Sequence, residues 1–91
     1  MKHSSYFDGK VQSLGVNTKN GYATVGVIEP GSYTFSTSTQ ETMVVVEGVL
    51  KYRLYEQEWM EAKKGEKFVV APGVAFDCRA DVDTAYICYY K

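Results

Sequence analysis

Hydrophobic and polar positions alternate along most of this chain, and glycine or proline interrupts the alternation every few residues. The strongest apolar run is Met43-Val44-Val45-Val46, which stops at Glu47-Gly48. β-Branched valines are stiff at χ1 and suit a pleated sheet. Gly48 can take positive φ, so Glu47-Gly48 predicts a tight turn and a hairpin joining residues 43–47 to 49–55. In the second strand Leu50, Tyr52 and Leu54 share one face, and Lys51, Arg53 and Tyr55 the other. The first set is expected to point inward.

Further punctuation falls at Gly9, Gly15, Asn20-Gly21, Pro30-Gly31, Lys64-Gly65 and Pro72-Gly73. Asn20-Gly21 is a strong hairpin signal, and Pro72-Gly73 fits the centre of a type II turn. Strand-length pieces lie between these marks, over residues 11–14, 22–28, 32–36, 59–63, 67–71, 75–80 and 85–90. Phe76 and Cys78 oppose Asp77 and Arg79, and Phe76 is placed inward. In the last piece parity does not choose between Tyr86, Cys88, Tyr90 and Ala85, Ile87, Tyr89. Residues 56–64 have a helix-favouring composition but span only about two turns. They are read as a turn at Glu56-Gln57 followed by a strand. Short strands at this spacing predict an all-β sandwich or barrel.

At 91 residues one domain, residues 1–91, is expected. So short a chain buries only roughly 60–65% of its unfolded surface, which favours an oligomer. The net charge is −1 and there is no basic stripe, so nucleic-acid binding is not expected. No apolar run approaches the ~20 residues that span a bilayer as a helix. The start, Met1-Lys2-His3-Ser4-Ser5, lacks the apolar stretch of a signal peptide, and a cytoplasmic protein is expected. Nine residues separate Cys78 from Cys88, a spacing that matches no zinc or redox motif. Two small buried thiols in a reducing compartment are expected, although the pair could face each other on neighbouring strands.

The candidate chemistry sits just before the valine run. Ser36-Thr37-Ser38-Thr39-Gln40-Glu41 places hydroxyls and one carboxylate between two predicted strands. Strand ends and loops of that kind carry function more often than strand centres.

Two pieces together resemble the cupin superfamily. Glu41 is followed by six residues and Gly48, as at the end of that family's first motif. Gly65 leads through Val70 to Ala71-Pro72-Gly73 and Phe76 in the manner of the second, with Ala71 where a proline is expected. The resemblance implies a cupin-type jelly-roll β-barrel with a pocket in its mouth. Metal-binding cupins use three histidines and the glutamate. Here Thr37, Thr39 and Phe76 occupy the histidine positions, and the only histidine is His3, in a terminus expected to be mobile. One carboxylate with three non-ligands does not hold a transition metal tightly, so no metal or other cofactor is expected.

A closer resemblance covers nearly the whole chain. Tyr6-Phe7, Gly9-Lys10-Val11, Val25-Gly26-Val27, Tyr33-Thr34-Phe35-Ser36-Thr37, Glu41, Met43, Tyr86, Cys88 and Tyr90 look like the bacterial pyrimidine/purine nucleoside phosphorylase family. That family is a compact, metal-free cupin forming homodimers. The resemblance implies phosphorolysis of nucleosides to free base and pentose 1-phosphate.

Such a reaction passes through an oxocarbenium-like transition state and sets three tasks: holding phosphate, orienting ribose, and helping the base depart. Ser36, Thr37 and Thr39 are candidates for phosphate or ribose, beside turn backbone that could form an anion nest. In the structural alternative they cap turns. Glu41 could orient ribose hydroxyls, or act as an acid if burial raises its pKa; otherwise it is a surface residue. Tyr52, Phe76, Tyr86 and Tyr90 could stack on the base, or serve as ordinary core. Arginine, whose planar fork suits phosphate, is expected to face outward at both Arg53 and Arg79. That leaves hydroxyls, backbone or a partner subunit as alternatives. A non-catalytic binder of sugars or nucleosides on the same fold is the rival function.

Overall fold

The alternation becomes ten β-strands and no helix in the computed structural model, which describes residues 1–91. In chain order these are β1 (His3–Tyr6), β2 (Val11–Thr18), β3 (Gly21–Ile28), β4 (Gly31–Ser36), β5 (Glu41–Glu47), β6 (Val49–Leu54), β7 (Met60–Lys63), β8 (Lys67–Val70), β9 (Ala75–Ala80) and β10 (Thr84–Tyr90). They form a six-stranded sheet, β1-β2-β3-β10-β5-β8, and a four-stranded sheet, β4-β9-β6-β7. Every pairing is antiparallel. The core lies between the sheets, around Val11, Ile28, Val45, Leu50, Phe68 and Phe76. Fully burying a side chain such as Leu50 stabilises the fold by about 1.5–3 kcal/mol relative to exposure.

Alternation predicts the inward faces well. Leu50 and Tyr52 are buried, whereas Arg53 and Tyr55 are exposed. Phe76 and Cys78 are buried in β9. In β10, Thr84, Tyr86 and Cys88 face the core and Tyr90 is half-buried, which decides what parity left open. Cys78 and Cys88 are both free and buried, and lie in different sheets. The helix-like composition of residues 56–64 resolves into a turn and β7.

Two expectations need correction. First, β5 and β6 do not pair: one belongs to each sheet, so Gly48 is a corner and not a hairpin turn. Its φ is +86°, and a Cβ there would lie 2.8 Å from the Asp83 carbonyl oxygen. The corner is locked by Thr84, whose hydroxyl lies 3.2 Å from the Val49 carbonyl. A positive-φ glycine permits hairpin and corner equally, and the choice is made by distant partners β8, β9 and β10. Second, the amino-terminal residues are ordered as β1 along the edge of β2, with His3 Nε2 3.0 Å from Gln12 Oε1. Their polar sequence hid a strand whose alternate residues face a cavity. A smaller shift occurs at Asn20-Gly21, where Thr18 pairs with Gly21 and the turn residues are Lys19 and Asn20.

Candidate active site

The inner face of the six-stranded sheet is ordered in cross-strand rows, and three of them carry most of the site. In one row Ser4 stands opposite Ser13, Ser13 opposite Gly26, and Gly26 opposite Tyr86. In the next, Gly15, Thr24, Cys88 and Met43 follow one another, headed by Lys2, whose carbonyl accepts the Gly15 N–H at 2.8 Å. The third brings Tyr90 opposite Glu41, with the Tyr22 ring 5.8 Å from that of Tyr90. The two inner glycines make room for aromatic rings. A Cβ on Gly26 would meet the Tyr86 ring at 2.5 Å, and one on Gly15 would collide with the Tyr22 hydroxyl.

These rows and the end of β4 enclose a cavity of about 480 Å³. That volume is within the usual range for small-molecule sites. Its far wall is supplied by Thr34, Phe35, Ser36, Ser38 and Phe76. Tyrosine rings and hydroxyls dominate the lining, and its only charged groups are Lys2 and Glu41.

Glu41 is half-buried at the start of β5. Desolvation raises its pKa above the ordinary value of 4.5, and a hydrogen bond donated by the Cys88 thiol at 3.4 Å partly opposes that rise. Burial pushes the Cys88 thiol itself up to about 12, so it stays protonated as a donor. Tyr90 is displaced upward chiefly by burial, and its hydroxyl lies 3.0 Å from Thr24 Oγ1. Burial likewise pushes Tyr86 up to about 12. The cavity therefore presents a shielded carboxyl beside neutral phenols and a neutral thiol.

Of the residues singled out from sequence, Glu41, Ser36, Phe76, Tyr86 and Tyr90 line this cavity. Thr37, Thr39 and Tyr52 do not. Thr37 is buried, and its hydroxyl donates to the Ala71 carbonyl at 2.7 Å and accepts the Val74 N–H at 3.2 Å. It ties the end of β4 to the Pro72-Gly73 turn. Thr39 is exposed in the β4–β5 loop. Tyr52 stacks on Phe68 in the core with ring centroids 3.7 Å apart. The arginines are engaged elsewhere: Arg53 pairs with Asp77 at 2.7 Å and Arg79 with Asp81 at 3.3 Å.

Sequence reading missed Lys2, Ser4, Tyr6, Ser13, Tyr22 and Thr24, all of which line the cavity. The period-two spacing of Lys2, Ser4 and Tyr6 was the available signal, weakened by the absence of apolar residues. As for metal ligands, the lining offers only Glu41 and Cys88, and nowhere do three or more His, Cys, Asp or Glu side chains gather. That donor set does not fit the three imidazoles and carboxylate of metal-binding cupins.

Fold and site together define a class: a small all-β protein with cupin-like architecture and a tyrosine- and hydroxyl-lined cavity between its sheets. A cupin-like protein from Thermotoga maritima shares that fold, with a TM-score of 0.72 at 23% identity over 86% of this chain and 65% of its own. A family model described as pyrimidine/purine nucleoside phosphorylase matches residues 1–90, and the chain belongs to that family. The pyrimidine/purine nucleoside phosphorylase of Vibrio cholerae serotype O1 is 44% identical over 91 residues, covering 99% of this chain and 96% of the relative. That of Marinobacter nauticus is 46% identical over 88 residues, 96% of this chain and 95% of the relative. A crystal structure of a protein of unknown function from Vibrio parahaemolyticus superposes with a TM-score of 0.95 at 41% identity, covering 99% of this chain and 97% of that one.

Proposed function

We propose that this protein is a nucleoside phosphorylase acting on purine and pyrimidine nucleosides within the cavity between its sheets. The observation that carries this reading is a nucleoside-sized cavity with one shielded carboxyl, in a chain that belongs to this family over its full length. A phosphate oxygen forms the bond to the anomeric carbon, and the carbon–nitrogen bond breaks with its electron pair left on the base. Glu41, whose pKa burial raises, donates a proton to the departing base and is reprotonated from solvent, while the attacking hydrogen phosphate loses its own proton to solvent. Tyr86, Tyr90 and Phe76 stack on the base, and stacking accepts purines and pyrimidines alike because each presents a π-face. Ser36 contacts ribose or phosphate from the opposite wall. Thr37, Thr39 and Tyr52 receive no contact with substrate.

The chemistry needs no metal or organic cofactor, since the acid is a side chain and the nucleophile is phosphate. The single domain closes as a cupin-type jelly-roll barrel and works in the cytoplasm, where two buried free thiols suit the reducing conditions. It assembles as a homodimer through the outer face of the six-stranded sheet. There Leu14, Val16, Val25, Val27 and Tyr89 are each 40–49% exposed. Leu14, Val25, Ile87 and Val44 form one apolar row across that face.

The test is direct. Chelator-treated protein is incubated with adenosine, inosine or uridine, with and without phosphate. Phosphate-dependent release of free base and pentose 1-phosphate is the expected result. Failure with every nucleoside would leave a non-catalytic binder.

A further inference from the structure

The cavity holds one positive group, and nothing in the catalytic scheme above uses it. Lys2 lines the cavity, and its nitrogen forms no ion pair with any carboxylate, unlike Lys51, Arg53, Lys64 and Arg79. Its position is built. The carbonyl of Lys2 accepts the Gly15 N–H at 2.8 Å, which extends the β1–β2 ladder by one residue. Two residues on, Ser4 turns to the same face, and Ser13 stands opposite it across the ladder. Ser13 is buried and both serines line the cavity. Lys2, exposed at the rim, and the two serines thus line the same β1–β2 side of the cavity.

Glu41 lies on the other side, four strand spacings away in the order β1-β2-β3-β10-β5. Along an unrolled sheet that is roughly 19 Å at about 4.8 Å per strand. Curling of the sheet and the reach of the lysine chain shorten the gap, but the two charges do not meet. The cavity therefore has a cation on its β1 side and an acid beside Tyr90 on its β5 side. Lysine serves as a point charge toward phosphate, and serine hydroxyls add neutral donors.

We propose that Lys2, with Ser4 and Ser13, forms the phosphate end of the cavity, leaving the Glu41–Tyr90 end to the base. This rests on the reading that phosphate is the co-substrate. It places the nucleophile and the departing base on opposite sides of the sugar, as in-line displacement requires. It also supplies the cation that Arg53 and Arg79, both turned outward, do not.

Lys2→Met keeps the backbone hydrogen bond to Gly15 and removes only the charge. KM for phosphate should rise about tenfold to a hundredfold, the range for a lost charge-assisted hydrogen bond. KM for nucleoside should change little, kcat at saturating phosphate should largely survive, and Lys2→Arg should restore most of the loss. An unchanged phosphate KM in an active Lys2→Met enzyme overturns the assignment while leaving the phosphorylase reading intact. If wild-type protein releases no base, the phosphorylase reading fails. Calorimetric titration of inorganic phosphate without nucleoside then decides on Lys2. Binding by wild type that weakens in Lys2→Met supports the assignment. Equal isotherms, or no binding by either, refute it.

Discussion

Glu41 and Thr37 lie four positions apart in one short loop region, yet their surroundings assign them different work. Glu41 opens onto the cavity, and desolvation favours its protonated form. Glu41→Gln should lower kcat by about 100-fold or more, the usual contribution of a positioned acid, with an unaltered circular dichroism spectrum. The sign of the pH dependence follows from the upward shift. Activity carried by protonated Glu41 falls as pH rises through its raised pKa, and Glu41→Gln should abolish that limb of the kcat profile. The same shift gives a stability contribution that is full below the ordinary value of 4.5 and lost as pH rises through the folded value. Thr37, in contrast, satisfies buried backbone groups at Ala71 and Val74. Thr37→Val should cost about 1–3 kcal/mol in urea denaturation, because it leaves those groups unpaired. KM for phosphate should stay where it is in the wild type.

At the level of elements, the corner at Gly48 matters more than any single strand. It carries the chain from the cavity-forming sheet into the other one, and β5 delivers Glu41 only if that crossing is made. Gly48→Ala forces a Cβ into positive φ and against the Asp83 carbonyl. The backbone strain alone costs about 1–2 kcal/mol. Thermal denaturation should show a lower Tm for Gly48→Ala, and hydrogen exchange should locate the loss of protection at β6 and the β9–β10 turn. Protection unchanged there would mean that the corner relaxes without effect on its neighbours. The edge strand β1 has the opposite character. It is short and polar, and contributes little apolar burial, but it seats Lys2, Ser4 and Tyr6 along the cavity. Its value to the molecule is therefore chemical rather than structural.

Across the whole molecule, the two faces of the six-stranded sheet divide the labour. The inner face carries hydroxyls and rings around the cavity. The outer face carries an apolar row with no cover from the chain itself, and an open groove of about 500 Å³ runs beside it along Lys10, Gln12, Leu14, Val25 and Val27. This is the face proposed above for the dimer, because contiguous exposed apolar surface gains from being covered. Light scattering coupled to gel filtration should report a dimer for wild type. Val25→Asp, at the middle of the row, should shift it to monomer by placing a charge in a closed interface. A wild-type monomer at micromolar concentration would remove this face as a dimer surface.

Whatever depends on neighbours along the chain was legible before any tertiary contact was known. Alternation set the strands and their inward faces, glycine and proline set most of the breaks, and the Tyr33–Thr37 and Glu41 motifs led to the family. Side-chain period and turn chemistry are local properties, so one strand's residues suffice to express them. Which strands pair, and hence whether Gly48 is a hairpin turn or a corner, was settled by long-range packing. That packing also separated Thr37, Thr39 and Tyr52 from the cavity and brought in Lys2, Ser13 and Tyr22. A cavity is a property of rows that run across strands, perpendicular to the chain. Residues far apart in sequence become neighbours there only once register is fixed.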